Sequence, residues 1–133
     1  KDTLTSTAVT GTDKETEYTL KDYIGENPGD TAQELRDNLV QPVVVGSGSK
    51  IKKMSKKVGS NLSANEQILL WTGNLETVPD MYGWTKENVE KFAKWTGIKI
   101  TFKGSDSGTV TKQSVESETD IDGVKKITIT LGE

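Results

Sequence analysis

Two short runs in this chain have spacings that could support serine chemistry. Ser47-Gly48-Ser49-Lys50 sets a hydroxyl three residues before an amine, and Ser63-Ala64-Asn65 has the Ser-x-Asn spacing. A serine acyl-transfer site of that kind also needs Lys-Ser/Thr-Gly, and its nucleophile opens a buried helix close to the lysine. The chain has no Lys-Thr-Gly, and Ser47 lies in a Gly-Ser turn, so both runs read as chance matches. Glu118, Asp120, Asp122 and Gly123 have the spacing of half a calcium loop, but Ile129 stands where a bidentate Glu is required. Turn chemistry is the simpler reading. The chain contains neither His nor Cys. It therefore lacks the commonest general base, the commonest transition-metal ligand and any disulfide. No catalytic residue, cofactor or metal is expected.

Residue types suited to binding are more plentiful. Lys50, Lys52, Lys53, Lys56 and Lys57 form the densest charge feature, which could meet an anionic polymer or simply guard a strand edge. Tyr82 and Trp95 are candidates for a glycan or partner contact, because aromatic faces stack on sugar rings. Trp95 falls about 240° round its helix from Val89, off the apolar stripe, whereas Trp84 is expected in the core. The net charge of -3 argues against a nucleic-acid partner. No apolar run approaches the roughly 20 residues that span a bilayer. The start at Lys1 reads as that of an excised piece.

The elements that would hold these residues come as a unit built twice. Gly83 to Val89 aligns with Gly29 to Leu35 at a spacing of 54, and Val110, Ser114, Ile127 and Ile129 align with Ile51, Ser55, Ile68 and Leu70 at 59. The change of spacing is assigned to a loop insertion. Residues 1–24, rich in Thr, Ser and charge, read as a flexible linker whose last residues could dock; 25–77 form the first unit and 78–133 the second. In the first, Thr31 and Glu34 suggest a capping box, Leu35 and Leu39 the buried stripe, and Pro42 the stop. In the second, Thr85 caps a helix with Val89, Phe92 and Ala93 inward, and Gly97 ends it. Alternating strands follow each helix, giving an α+β unit with one helix on a small, mainly antiparallel three-stranded sheet. Leu69 and Trp71 stand where the second unit has Thr128 and Thr130, so the first sheet is apolar on both faces. Leu69 and Trp71 are therefore expected to dock on the second unit or on a missing domain.

Val78-Pro79-Asp80-x-x-Gly83, the capped helix, Gly97-Ile98, Gly108-Thr109-Val110, Gln113 and the terminal Ile-Thr-Ile-Thr-Leu resemble a PASTA domain. The first unit resembles a divergent copy. Such repeats lie at the extracytoplasmic ends of Gram-positive penicillin-binding proteins and bacterial Ser/Thr kinases. The run Asn38 to Lys52 and the Ile-Thr-Leu-Gly-Glu ending resemble the penicillin-binding branch, a septal D,D-transpeptidase. The resemblance implies a non-catalytic tandem that contacts peptidoglycan or muropeptides and supports the transpeptidase domain of a parent chain, beside other division proteins. It also implies a place on the extracytoplasmic face of the cell membrane at the septum, anchored by a transmembrane segment outside this chain. A spacer that binds no glycan and a kinase sensor module are the alternatives.

Overall fold

The computed structural model describes residues 17–132, and the same order of elements occurs in it twice. The first unit contains β1 Tyr18–Thr19, α1 Pro28–Asp37, β2 Gln41–Gly46, β3 Lys53–Met54, β4 Asn61–Leu62 and β5 Gln67–Gly73. The second contains α2 Lys86–Thr96, β6 Lys99–Gly104, β7 Thr109–Gln113, a 3-10 turn at Ile121–Gly123 and β8 Lys126–Gly132. The last strand is central in each three-stranded sheet, in the orders β2-β5-β3 and β6-β8-β7. Its long partner is parallel and its short partner antiparallel. With the β1–β4 pair, three of the five pairings are antiparallel. The parallel pair follows from topology, because the helix precedes β2 and the chain must return alongside it to close the sheet.

Equivalent hydrogen bonds prove the duplication. Ser55 Oγ accepts from Leu69 N at 2.8 Å, and Ser114 Oγ accepts from Thr128 N at 2.8 Å. Asp22 Oδ1 accepts from Ile24 N, and Asp80 Oδ1 accepts from Tyr82 N. Gly25 N donates to Ile51 O, as Gly83 N does to Val110 O. Asn27 and Thr85 cap the two helices. These pairs correct the register near the start: Gly83 corresponds to Gly25, not Gly29, and the spacing stays at 58 to 59 with no five-residue insertion. The first unit therefore opens on Leu20-Lys21-Asp22, the counterpart of Val78-Pro79-Asp80.

The linker boundary expected at residue 24 moves for the same reason. Leu20 and Tyr23 are buried in the first core with Ala32, Leu35, Val40, Ile51, Leu62, Ile68 and Leu70. Residues 1–16 of that expected linker lie outside the described residues. In α1, Asn27 Oδ1 accepts from Asp30 N at 2.9 Å and Pro28 occupies the first turn, where its missing N–H costs nothing. Thr31 is thus inside the helix and buried rather than a cap. Leu39 lies beyond the helix at φ 66 and is exposed, so the buried stripe is Thr31, Ala32 and Leu35. In α2, Thr85 Oγ1 accepts from Asn88 N at 3.2 Å and Gly97 turns the chain at φ 79, both as expected.

Candidate functional site

Side chains alternate across β5. Ile68 and Leu70 point to α1, whereas Leu69 and Trp71 point to the second unit. Leu69 and Val45 are fully buried in one apolar cluster with Met81, Trp84, Val89, Phe92 and Ile98 of the second unit. Trp71 and Trp95 stack with centroids 5.6 Å apart, tilted by 38°. The direction of Trp95 off the α2 stripe is thereby explained: α2 rests on its own sheet by one face and meets the first sheet by another.

Polar groups close the same seam. Gln67 Oε1 accepts from Asn88 Nδ2 at 2.8 Å and from Thr85 N at 3.2 Å, while its Nε2 donates to Gly83 O at 3.3 Å. A glutamine of the first unit thus satisfies a backbone donor at the α2 N-terminus. Asn88 is buried and its Oδ1 has no hydrogen-bond partner among the described residues. Lys56 Nζ bridges Glu87 of α2 at 2.8 Å and Glu66 of its own unit at 3.4 Å. Partial burial lowers the Lys56 pKa, but the hydrogen bond and charge of Glu87, aided by Glu66, outweigh it and leave it raised.

The other sequence candidates are dispersed. Tyr82 is 71% exposed at the rim of a shallow groove of about 310 Å³, beside Asp80, Thr111, Lys112, Gln113 and Glu116. Trp95 does not line that groove, so the two aromatics are not brought together. Lys50, Lys52, Lys53 and Lys57 are exposed and have no acidic partner among the described residues; Lys56 is the one committed to the seam. Trp84 is buried edge-on against Phe92, with centroids 5.8 Å apart.

One polar cluster is not anticipated by the sequence, because Tyr18, Lys21 and Tyr23 fall in the expected linker and Glu34 in the expected capping box. Glu34 Oε2 accepts from Tyr23 Oη at 2.6 Å and from Lys21 Nζ at 3.1 Å, and Tyr18 Oη touches Tyr23 Oη. The Tyr23 hydrogen bond foremost, then the one from Lys21, holds the Glu34 carboxyl below its usual range. Burial, then the bond to Glu34, pushes the Tyr23 phenol up. The signal available was Tyr18, Tyr23 and Glu34 in a stretch otherwise poor in aromatics.

The serine and acidic runs have structural roles. Ser47 Oγ donates to Asn74 O at 2.8 Å and ties the turn after β2 to the end of β5. Ser63 N bonds Glu66 Oε1 and Glu66 N bonds Ser63 O in a tight turn through Asn65 at φ 68. Asp120 Oδ1 accepts from Asp122 N and caps the 3-10 turn.

Comparison with known proteins agrees with the duplicated geometry. The PASTA domain model matches residues 18–74 and 76–133. The chain superposes with a TM-score of 0.85 and 58% identity on the crystal structure of Penicillin Binding Protein 2X from Streptococcus thermophilus, over 88% of this chain and 17% of that one. It thus spans a small part of that relative's length. The extracellular region of the Ser/Thr kinase PrkC from Staphylococcus aureus matches at 17% identity and TM-score 0.34, over 87% of this chain and 46% of that one. A three-PASTA-domain structure of a Ser/Thr kinase from Staphylococcus aureus matches at 21% identity and TM-score 0.34, over 84% and 65%.

Proposed function

The chain belongs to the PASTA family, whose domains are non-catalytic, and from that premise we propose that it is the wall-associating and docking region of a penicillin-binding D,D-transpeptidase. The similarity to Penicillin Binding Protein 2X, at 58% identity over nearly the whole chain, carries this reading. The chain's share of such a protein is to position rather than to react. The parent acts on the extracytoplasmic face at the septum, cross-links stem peptides, is held to the membrane by a segment outside this chain, and meets other division proteins there. No helix among the described residues is long and apolar enough to cross a membrane.

The Tyr82 groove is the contact for peptidoglycan sugars, because it pairs an exposed ring with several side-chain donors and acceptors. The free lysines Lys50, Lys52, Lys53 and Lys57 add long-range attraction for anionic wall polymer. Cosedimentation with purified peptidoglycan sacculi tests the reading: wild type is expected in the pellet and Tyr82→Ala largely in the supernatant. Wild type left in the supernatant overturns it. A fluorescent penicillin should leave no covalent label on this chain.

A second reading, a spacer that binds no glycan, is favoured by the fate of the tryptophans. Trp71 and Trp95 are used against each other and Trp84 against Phe92. Amide shifts confined to Tyr82, Lys112 and Gln113 during titration with soluble muropeptides support the wall reading, and silence there supports the spacer.

A further inference from the structure

The seam between the units can be carried one step along the repeat. Within the chain it joins Asn88 to Gln67 and Trp95 to Trp71, with α2 laid against the outer face of the first sheet. At the helix spacing of 58, Asn88 and Trp95 correspond to Asp30 and Asp37 of α1. At the strand spacing of 59, Gln67 and Trp71 correspond to Lys126 and Thr130 of β8. The helix positions that make the seam are thus carboxylates in α1, and the sheet positions that receive them are cationic or hydroxylated in the second sheet. α1 and the outer face of the second sheet are the two ends of the stack, so they cannot meet within one chain.

The sheet end suits an acidic partner. Ile100, Phe102, Ile127 and Ile129 pack into the core, which leaves Lys99, Thr101, Lys103, Lys126, Thr128 and Thr130 on the outer face. Lys99 stands directly opposite Lys126, an arrangement that like charges disfavour, and Thr130 lies between Lys103 and Lys112 in the register. The three strands contain no Asp or Glu, and none of these lysines has an acidic partner among the described residues. The helix end is its complement. Thr31, Ala32 and Leu35 are buried, and Asp30 and Asp37 are exposed on the opposite side of α1. The Asp30 carboxylate has no partner among the described residues, and that of Asp37 accepts from Gln33 Nε2 at 2.9 Å. Asp22 and Glu26 share a groove with Asp30, while Arg36 lies about 120° round the helix from it.

We propose that this chain binds a second copy of itself head to tail, α1 of one copy on the outer face of the second sheet of the next. Asp30 then meets Lys126, and Asp37 sits over Thr130 between Lys103 and Lys112. The contact is heterologous, so each copy keeps one free end and the assembly grows open-ended. Its faces are charged rather than apolar, which makes it dependent on salt. It requires no wall ligand and leaves the Tyr82 groove outside the contact.

Sedimentation equilibrium of the whole chain tests this. Below about 0.1 M salt, where charges act over roughly 10 Å or more, the average mass should exceed that of one chain and climb with concentration without a plateau. At about 1 M salt, where screening leaves about 3 Å, it should return to one chain. Asp30→Lys with Asp37→Lys, and separately Lys103→Glu with Lys126→Glu, should each give a monomer at low salt. An equimolar mixture of the two variants should associate again, because each reversed end then meets its complement. Unchanged amide shifts at Leu35, Ile127 and Ile129 establish that the variants are folded. Wild type that is monomeric at low salt overturns the proposal. A plateau at two chains, association that survives either reversal, or a mixture that stays monomeric does the same. Monomeric wild type whose Thr101 and Thr128 amides shift with polyphosphate also overturns it, and gives the lysine face to a polyanion.

Discussion

Replacing Leu69 by Ala tests whether the tandem is one body or two. Leu69 belongs by sequence to the first unit, yet it is fully buried in the cluster that forms the second unit's core. Its truncation removes buried carbon and leaves a void between β5 and α2, at a cost of about 2–5 kcal/mol. For chains of this size, urea lowers stability by roughly 1–3 kcal/mol per molar. At a mid-range slope of about 2 kcal/mol per molar, the midpoint should therefore fall by roughly 1–2.5 M. Amide signals of α1 and of β6 should be lost at one shared midpoint, lower than in the wild type, because the seam couples both cores. Leu69→Thr, which copies Thr128 of the second sheet, should cost at least as much, since it also buries a hydroxyl without an assured partner. Thr128→Ala, on a half-exposed strand face, should change stability by less than about 0.5 kcal/mol. An unchanged midpoint for Leu69→Ala refutes the packing argument. Separate midpoints for the two units in the wild type refute the claim of one body.

Three further outcomes follow from the geometry. Glu34 has a depressed pKa in the folded state, so its stabilising contribution is present above its usual value of 4.5 and lost as pH falls through the folded value; Glu34→Gln should flatten the acid limb of a Tm-against-pH curve, and an unaltered limb would count against the Tyr23–Glu34–Lys21 tie. Lys56→Gln should cost about 0.5–1 kcal/mol in low salt and less in high salt, since the pair with Glu87 is partly screened; chemical denaturation at two ionic strengths measures both. Gly104 has φ +88, and a Cβ there would lie 2.2 Å from Leu131 O. Gly104→Ala should therefore destabilise by about 2 kcal/mol or more, read as a lowered Tm.

Much of the architecture was legible because its causes are local. Thr85, the apolar positions of α2 and Gly97 make a capped, one-sided helix whatever surrounds them, and Ile127, Ile129 and Leu131 alternate as a half-buried strand must. The start of the first unit was misread because its signal is not local. Leu20 and Tyr23 are buried by β4, β5 and α1, which come later in the chain, and a polar-rich segment is ordered by what it docks on. The register slipped on a coincidence: Gly29 and Gly83 each stand two residues before a threonine. The geometry instead equates Asp22 with Asp80, whose carboxylates make the same turn. The Glu34 cluster was hidden by that slip.

Trp95 marks a different limit. Its angle on α2 was correct, but an off-stripe aromatic has two physical explanations, a ligand or a second packing surface, and periodicity cannot choose between them. The choice lay in the other repeat. Leu69 and Trp71 give the first sheet an apolar outer face, and a side chain able to cover that face had to come from elsewhere in the molecule. Trp95 supplies it. The second sheet carries Thr128 and Thr130 at those positions, half-buried and polar, so it needs no equivalent cover. The asymmetry between two otherwise matching strands thus sets the direction of stacking, with α1, the first sheet, α2 and the second sheet in succession. It also leaves a cleft between the units, lined by half-buried Trp71, Leu75, Ile121 and Val124. Differences between copies of a repeat therefore locate the seam better than their shared pattern, because the shared pattern only builds the cores.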